Sequence, residues 1–254
     1  MTILHYHDLP ATQDTSRPVV LLGSIASSTA MWAPVADELA GDHRVIAIDH
    51  RGHGRSPDIA EPASMETLAA DVLETLDAAG IDSFSVVGLS LGGAIAQYLA
   101  ATSPRVERAA FLCTASYFGG PDKWLPRVEL TSREGLAPMA ESVVGLWLTD
   151  TFRRSHPATT AACLDMVLAT RGSGYASCAH ALAGWEFTER LTDITCPVLT
   201  LAGADDASTP PDTVHAVAER VAGPATTVTV PGAHVPTLES PAAVTKALAD
   251  FLSA

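Results

Sequence analysis

The segment SFSVVGLSLGGAIAQYLA, residues 83–100, restricts the fold more than any other part of the chain. An apolar run ends in Gly-Leu-Ser-Leu-Gly-Gly and continues as a string of good helix formers. A strand that turns this abruptly into a helix pushes its central residue into a strained backbone conformation. Side chains two positions before and two after would collide with the turn, so those positions call for glycine. Gly88, Ser90 and Gly92 meet that demand as G-x-S-x-G, with a strand before and a helix after. The serine hydroxyl would then stand exposed at the edge of a sheet, over a helix N-terminus that favours developing negative charge.

The same strand-then-helix unit recurs along the chain. RPVVLLG (17–23), HRVIAID (43–49), RAAFLCT (108–114), PVLTLAG (197–203) and TTVTVPG (226–232) are further strand-like runs. They are nearly continuous in apolar residues rather than alternating, the pattern of strands buried on both faces of a parallel sheet. Helical patterns lie between them: 29–41, 64–80, 91–104, 212–223 and 240–254, several ending in glycine. The first 16 residues suggest a short strand and a polar turn. Such alternation predicts an α/β fold, a mostly parallel, doubly wound sheet with right-handed crossovers. A length of 254 residues suits one such domain, and 47% hydrophobic residues supply its core.

Between Ser116 and Thr192 the rhythm stops. Segments 133–148, 155–170 and 174–187 look helical, and TDTFRRSHP and TRGSG separate them. The expected organisation is therefore a core of residues 1–115 and 193–254 with a helical lid, 116–192, inserted between two strands. Ligands bind beyond the carboxyl ends of parallel strands, where such a lid would sit. Three of the four tryptophans, Trp124, Trp147 and Trp185, fall in it.

Composition excludes several classes of partner. A formal charge of -14 repels phosphate backbones and anionic lipid, so neither nucleic acid nor a membrane is expected. No apolar run approaches the roughly 20 residues of a membrane helix, and the N-terminus lacks the basic-then-apolar pattern of a signal peptide. Cys113, Cys163, Cys178 and Cys196 are scattered without metal spacing, which suggests buried thiols in a reducing cytoplasm and no bound metal or cofactor.

A serine is a weak nucleophile until a base takes its proton, and the base needs an orienting group. Two later strands end in suitable residues. LTLAGADDASTPP carries Asp205 and Asp206, and VTVPGAHVPTLESP carries His234. In a parallel sheet all three strand ends converge on one edge. His234 is the expected base. Asp206 is preferred as the acid, although spacing alone does not separate it from Asp205. The oxyanion donors are expected to be the N–H of Leu91, just after the serine, and that of Ile25, with Ser24 as its neighbour, in the small-residue loop GSIASSTAMW. His53, in DHRGHGRS, is expected to shape a tight loop.

The elbow, IDHRGHGRS, GADDASTPP and PGAHVPTLESP together resemble the α/β-hydrolase family. The resemblance implies that family's sheet and a Ser90–His234–Asp206 triad. The family turn G-x-x-D-x-x-T/V-P falls on Gly203, Asp206, Thr209 and Pro210. The common His-Gly after the first core strand is here Gly23-Ser24. A narrower likeness is to 3-oxoadipate enol-lactonases, carried by LLGSIASSTAMWAPVADELAGDHRVIAIDHRGHGRSP and by the lid segments GGPDKWLPRVELTSREGLAPMAESVVGLWLTDTFR and GYASCAHALAGWEF. It implies a cytoplasmic enzyme that opens a small anionic lactone. The substrate's carboxylate would need an arginine in so acidic a chain. Arg133 is favoured over Arg127, Arg153 and Arg154, with Trp124 and Trp147 as apolar walls. The alternatives are another carboxylesterase, a carbon–carbon bond hydrolase or a cofactor-free oxygenase or lyase on the same fold, and a non-catalytic receptor.

Overall fold

The computed structural model describes residues 2–12 and 17–253; the end of the expected polar turn, 13–16, lies outside them. Seven strands form one sheet among the described residues: β1 (Tyr6–Leu9), β2 (Val19–Leu22), β3 (Val45–Ile48), β4 (Phe84–Leu89), β5 (Val106–Leu112), β6 (Val198–Gly203) and β7 (Ala225–Val230). Their order is β1-β3-β2-β4-β5-β6-β7. Only β1 runs antiparallel, pairing Tyr6 with Ile48 along β3; every other neighbour is parallel. In β2, β3, β4 and β6 every residue is buried, as continuous apolar runs require of strands covered on both faces. Edge strand β7 alternates threonine and valine and is largely exposed.

Helices α1 (Ala33–Leu39), α2 (Met65–Ala78) and α3 (Leu91–Thr102) follow β2, β3 and β4. Between β5 and β6 lie α4 (Pro121–Glu134), α5 (Ala140–Trp147), α6 (Asp150–Ser155), α7 (Pro157–Ala169) and α8 (Gly172–Ala183). After β6 come α9 (Pro211–Ala218), α10 (Pro236–Glu239) and α11 (Pro241–Ser253). Ser64 caps α2 by accepting the Thr67 N–H. An isolated bridge between Tyr117 and Glu186 draws the two ends of the inserted helices together.

The inserted segment differs from the sequence pattern in its helix boundaries. Helix α4 lies where the sequence pattern shows no helix. Its interior Pro126 cannot donate to the Asp122 carbonyl, and its residues are mostly polar, so its apolar face shrinks to a few residues such as Trp124 and Val128. The helix expected to start at Arg133 starts instead at Ala140, and TDTFRRSHP, expected as a connector, holds α6, capped by Thr149. Helix α4 packs chiefly on α8. The cysteines are free thiols; Cys113, Cys163 and Cys178 are buried and Cys196 partly so. Among the described residues no helix is long and apolar enough to cross a membrane.

Candidate active site

Ser90 occupies the turn from β4 to α3 at φ 59° and ψ −113°, a conformation that side chains rarely adopt and that costs about 1–3 kcal/mol. The turn is tight because backbone packs on backbone. A Cβ on Gly88 would lie 2.0 Å from the Gly92 carbonyl oxygen, and one on Gly92 would lie 2.1 Å from the Leu22 carbonyl oxygen. The strain is held by hydrogen bonds on both sides of the residue. Ser90 N–H donates to the Leu112 carbonyl at 2.9 Å, and Thr114 Oγ1 donates to the Ser90 carbonyl at 2.8 Å.

At the next strand ends the chain assembles a carboxylate–imidazole pair. His234 Nδ1 lies 2.8 Å from Asp206 Oδ2, and both side chains are almost fully buried. Asp206 is itself over-determined. Its Oδ1 accepts the N–H groups of Ser208 at 2.8 Å and Thr209 at 3.1 Å. Its Oδ2 also accepts Thr209 Oγ1 at 2.7 Å. Burial pushes the carboxyl pKa up, but the hydrogen bonds from His234 and Thr209 outweigh it and hold the group below the usual carboxylate range. Asp206 is therefore ionised at neutral pH and fixes the Nδ1–H tautomer, which leaves Nε2 as the basic atom. Asp205 is exposed and makes no such contact. The loop bearing His234 is tied to the inserted helices: Val235 N–H donates to the Trp147 carbonyl at the end of α5, at 3.0 Å.

Ser90 and His234 open onto one cavity of about 270 Å³, whose walls include Ile25, Trp124, Trp147, Tyr175 and Thr209. The two side chains share this space without a hydrogen bond between them. Contacts of this kind are commonly long in a free site and tighten once a ligand fills it. Among the described residues no group of three His, Cys, Asp or Glu side chains could hold a metal ion.

The loop after β2 supplies the other wall, and its backbone is pinned group by group. The Gly23 carbonyl accepts from Gly92 N–H at 3.0 Å and from His50 Nε2 at 2.8 Å. Ala26, at φ 66°, donates its N–H to His53 Nε2 at 3.0 Å, and its carbonyl accepts from Thr170 Oγ1 at 3.2 Å. The Ile25 N–H, between these anchors, and the Leu91 N–H at the start of α3 are left without an acceptor among the described residues. The sequence singled out the loop but not its two props, because His50 and His53 lie 27 residues from the groups they bind.

His53 accepts through Nε2 and donates through Nδ1 to the Arg51 carbonyl at 2.8 Å, so it must be neutral. Burial, reinforced by neighbouring His50, lowers its pKa from 6.5 to about 4. The folded-state value lies below the unfolded one. The contribution is therefore complete above pH 6.5 and is lost as pH falls through 6.5 toward 4, a swing of about 3 kcal/mol. Urea unfolding of the wild type against His53→Gln should show that the variant lacks this part of the acid slope. Parallel curves for the two proteins would count against a neutral, buried imidazole.

The structure does not place Arg133 in the cavity. Nine residues beyond Trp124 it is half a turn out of phase on α4, exposed, and 3.6 Å from Glu129. Arg153 pairs with Asp150, and neither it nor Arg154 lines the cavity. Lys123 and Arg127 do, beside Trp124, as does Trp147. Their i, i+4 spacing was visible in the sequence, but it became a signal only once 121–134 was known to be helical.

Comparison with known proteins agrees with this architecture. A family model described as the alpha/beta hydrolase fold matches residues 17–241. The chain is similar to 3-oxoadipate enol-lactonase 2 of Acinetobacter baylyi, at 30% identity over 218 residues, 81% of this chain and 82% of that one. The crystal structure of the enol-lactonase from Burkholderia xenovorans superposes with a TM-score of 0.95 at 32% identity, covering 99% of this chain and 96% of that one. A Caulobacter protein to which carbamate hydrolysis is provisionally attributed is 27% identical over 260 residues, 98% of this chain and 95% of that one.

Proposed function

The chain belongs to the α/β-hydrolase family, and from that premise we propose that it is a serine hydrolase opening 3-oxoadipate enol-lactone to 3-oxoadipate. The observation that carries the reading is the shared cavity. A serine on a strained elbow faces the same small space as an imidazole whose far nitrogen is held 2.8 Å from a buried carboxylate. A volume of about 270 Å³ suits a small substrate. The likeness to two enol-lactonases supports the choice of ester.

In this mechanism Ser90 Oγ attacks the lactone carbonyl while His234 Nε2 takes its proton. The carbonyl oxygen becomes an oxyanion and accepts from the N–H groups of Ile25 and Leu91, each worth roughly 3–4 kcal/mol of barrier. Collapse breaks the ring C–O bond. The departing enolate takes the proton from His234 and tautomerises to the ketone, so ring opening is drawn forward by the more stable carbonyl. The acyl chain keeps the whole substrate tethered to Ser90. Water then attacks the acyl carbonyl with His234 as base, and Ser90 leaves with the proton. Asp206 stays ionised throughout and steadies the imidazolium. Residues 116–192 act as a lid that keeps bulk water from the acyl-enzyme.

The test is a lactone-opening assay, following loss of enol-lactone absorbance, run beside 4-nitrophenyl acetate. The expected kcat/KM for the lactone is at least about 100-fold the higher. A preference for the acetate would make the protein a general esterase, and turnover of neither ester would remove the hydrolytic reading.

A further inference from the structure

Two cations without a carboxylate partner among the described residues stand in the wall of the cavity that holds Ser90. Lys123 and Arg127 occupy successive turns of α4, and both line that space. Most of the basic side chains elsewhere are neutralised: Arg51 by Asp71, Arg105 by Asp77 and Arg133 by Glu129, among others. In a chain with 29 acidic and 15 basic residues such partners are abundant. Yet among the described residues neither Lys123 nor Arg127 has a carboxylate partner. Instead they face each other, and partial burial together with the Arg127 charge lowers the Lys123 pKa.

Their setting is built to hold a charge in place. The Arg127 guanidinium lies over the Trp124 ring, 5.0 Å from its centroid, so its planar fork is held in place. Trp124 is anchored in turn by its Nε1 donating to the Phe118 carbonyl at 3.0 Å. Across from α4, on α8, Tyr175 also lines the cavity. It is only 1% exposed, and its buried hydroxyl lies beside the Arg127 guanidinium with no acceptor for its own O–H among the described residues. A buried phenol whose O–H finds no acceptor costs stability. The Arg127 charge is close enough to oppose the rise that burial gives its pKa. The cavity thus presents an ammonium, a guanidinium and a phenol O–H, with no carboxylate paired to the two cations among the described residues.

We infer that Lys123, Arg127 and Tyr175 form a carboxylate-binding subsite, which selects acyl substrates that carry a free carboxylate at the end remote from the scissile ester. The guanidinium supplies the two parallel N–H groups that a carboxylate accepts, the ammonium a point charge, and the phenol a third donor. The chain's net charge of -14 works against anions generally, so a preference for the charged substrate has to originate locally. The inference rests on the hydrolase reading for which cavity the acyl group enters, not for the ability of these three side chains to bind an anion.

Two measurements separate the one from the other. The first compares kcat/KM for mono-4-nitrophenyl adipate and its neutral counterpart 4-nitrophenyl hexanoate. The wild type should favour the adipate ester, and Arg127→Gln should cut that preference by roughly 10- to 100-fold, chiefly through KM. Lys123→Gln should cut it less, and the double variant should abolish it. A double variant that keeps the wild-type preference to within twofold overturns the inference. The second is calorimetric titration of adipate itself, which needs no turnover. Binding to the wild type that is lost in the double variant supports the subsite, even if neither ester is hydrolysed and the catalytic reading falls. Equal affinities, or no binding of adipate to the wild type, overturn it.

Discussion

Ser90→Ala should lower kcat for the lactone by about 10⁵- to 10⁶-fold and abolish labelling by a fluorophosphonate. The size follows from what the substitution removes and what it spares. It deletes the atom that would form the acyl bond, so the only remaining route is direct attack by water. The two N–H groups assigned to the oxyanion, and the cavity itself, stay in place and leave a small residual rate. The fold should be undisturbed, because alanine, like serine, carries a Cβ at φ 59° and the bonds fixing residue 90 are backbone bonds. Ser90→Gly makes the complementary test. Relief of the positive φ should raise thermal stability while activity is lost to the same extent. Loss of activity accompanied by loss of stability in both variants would point to a merely structural elbow. A Ser90→Ala protein within tenfold of wild type would remove the nucleophile from the mechanism altogether.

Most of what makes such a test possible was legible in the sequence, for local reasons. Buried parallel strands must be apolar throughout, so β2, β3, β4 and β6 stood out as unbroken runs. A strand-to-helix turn with a backbone-to-backbone contact must be flanked by glycine, so Ser90 was marked by Gly88 and Gly92. What depended on distant partners was not legible. Asp205 and Asp206 differ only in which one points inward, and that is set by where the β7 loop delivers His234. His50 looked unremarkable, yet its ring holds the Gly23 carbonyl. Helix α4 was hidden by Pro126 and by its polar residues, and with it went the phase that turns Lys123 and Arg127 toward the cavity and Arg133 away. The displacement of Arg133 from the cavity therefore traces to missing secondary structure.

Asp206→Asn should lower kcat by about 10⁴-fold, while Asp205→Asn should change it by less than about twofold. The two side chains are adjacent and of one chemical type, so the contrast isolates geometry. Asp206 accepts four hydrogen bonds, two on each oxygen. An amide keeps one acceptor oxygen, and that oxygen is best spent on the N–H groups of Ser208 and Thr209, which cannot turn away. The –NH₂ group is then directed at Thr209 Oγ1 and His234 Nδ1. Against a donor, Nδ1 must become the acceptor, so the ring carries its proton on Nε2 and can no longer take one from Ser90. The loss thus comes from the wrong tautomer in a nearly unchanged site, and it should appear in kcat and in the rate of fluorophosphonate labelling together. Unfolding should respond differently with pH. The wild-type carboxyl has a folded pKa below its unfolded one, so its stabilisation is present above the usual carboxylate range and fades as pH falls through the folded value. The amide cannot titrate and should lack that acid-side loss. A variant that kept most of its activity while losing the acid-side dependence would make Asp206 a structural anchor for the β6 turn and leave His234 without an orienting group.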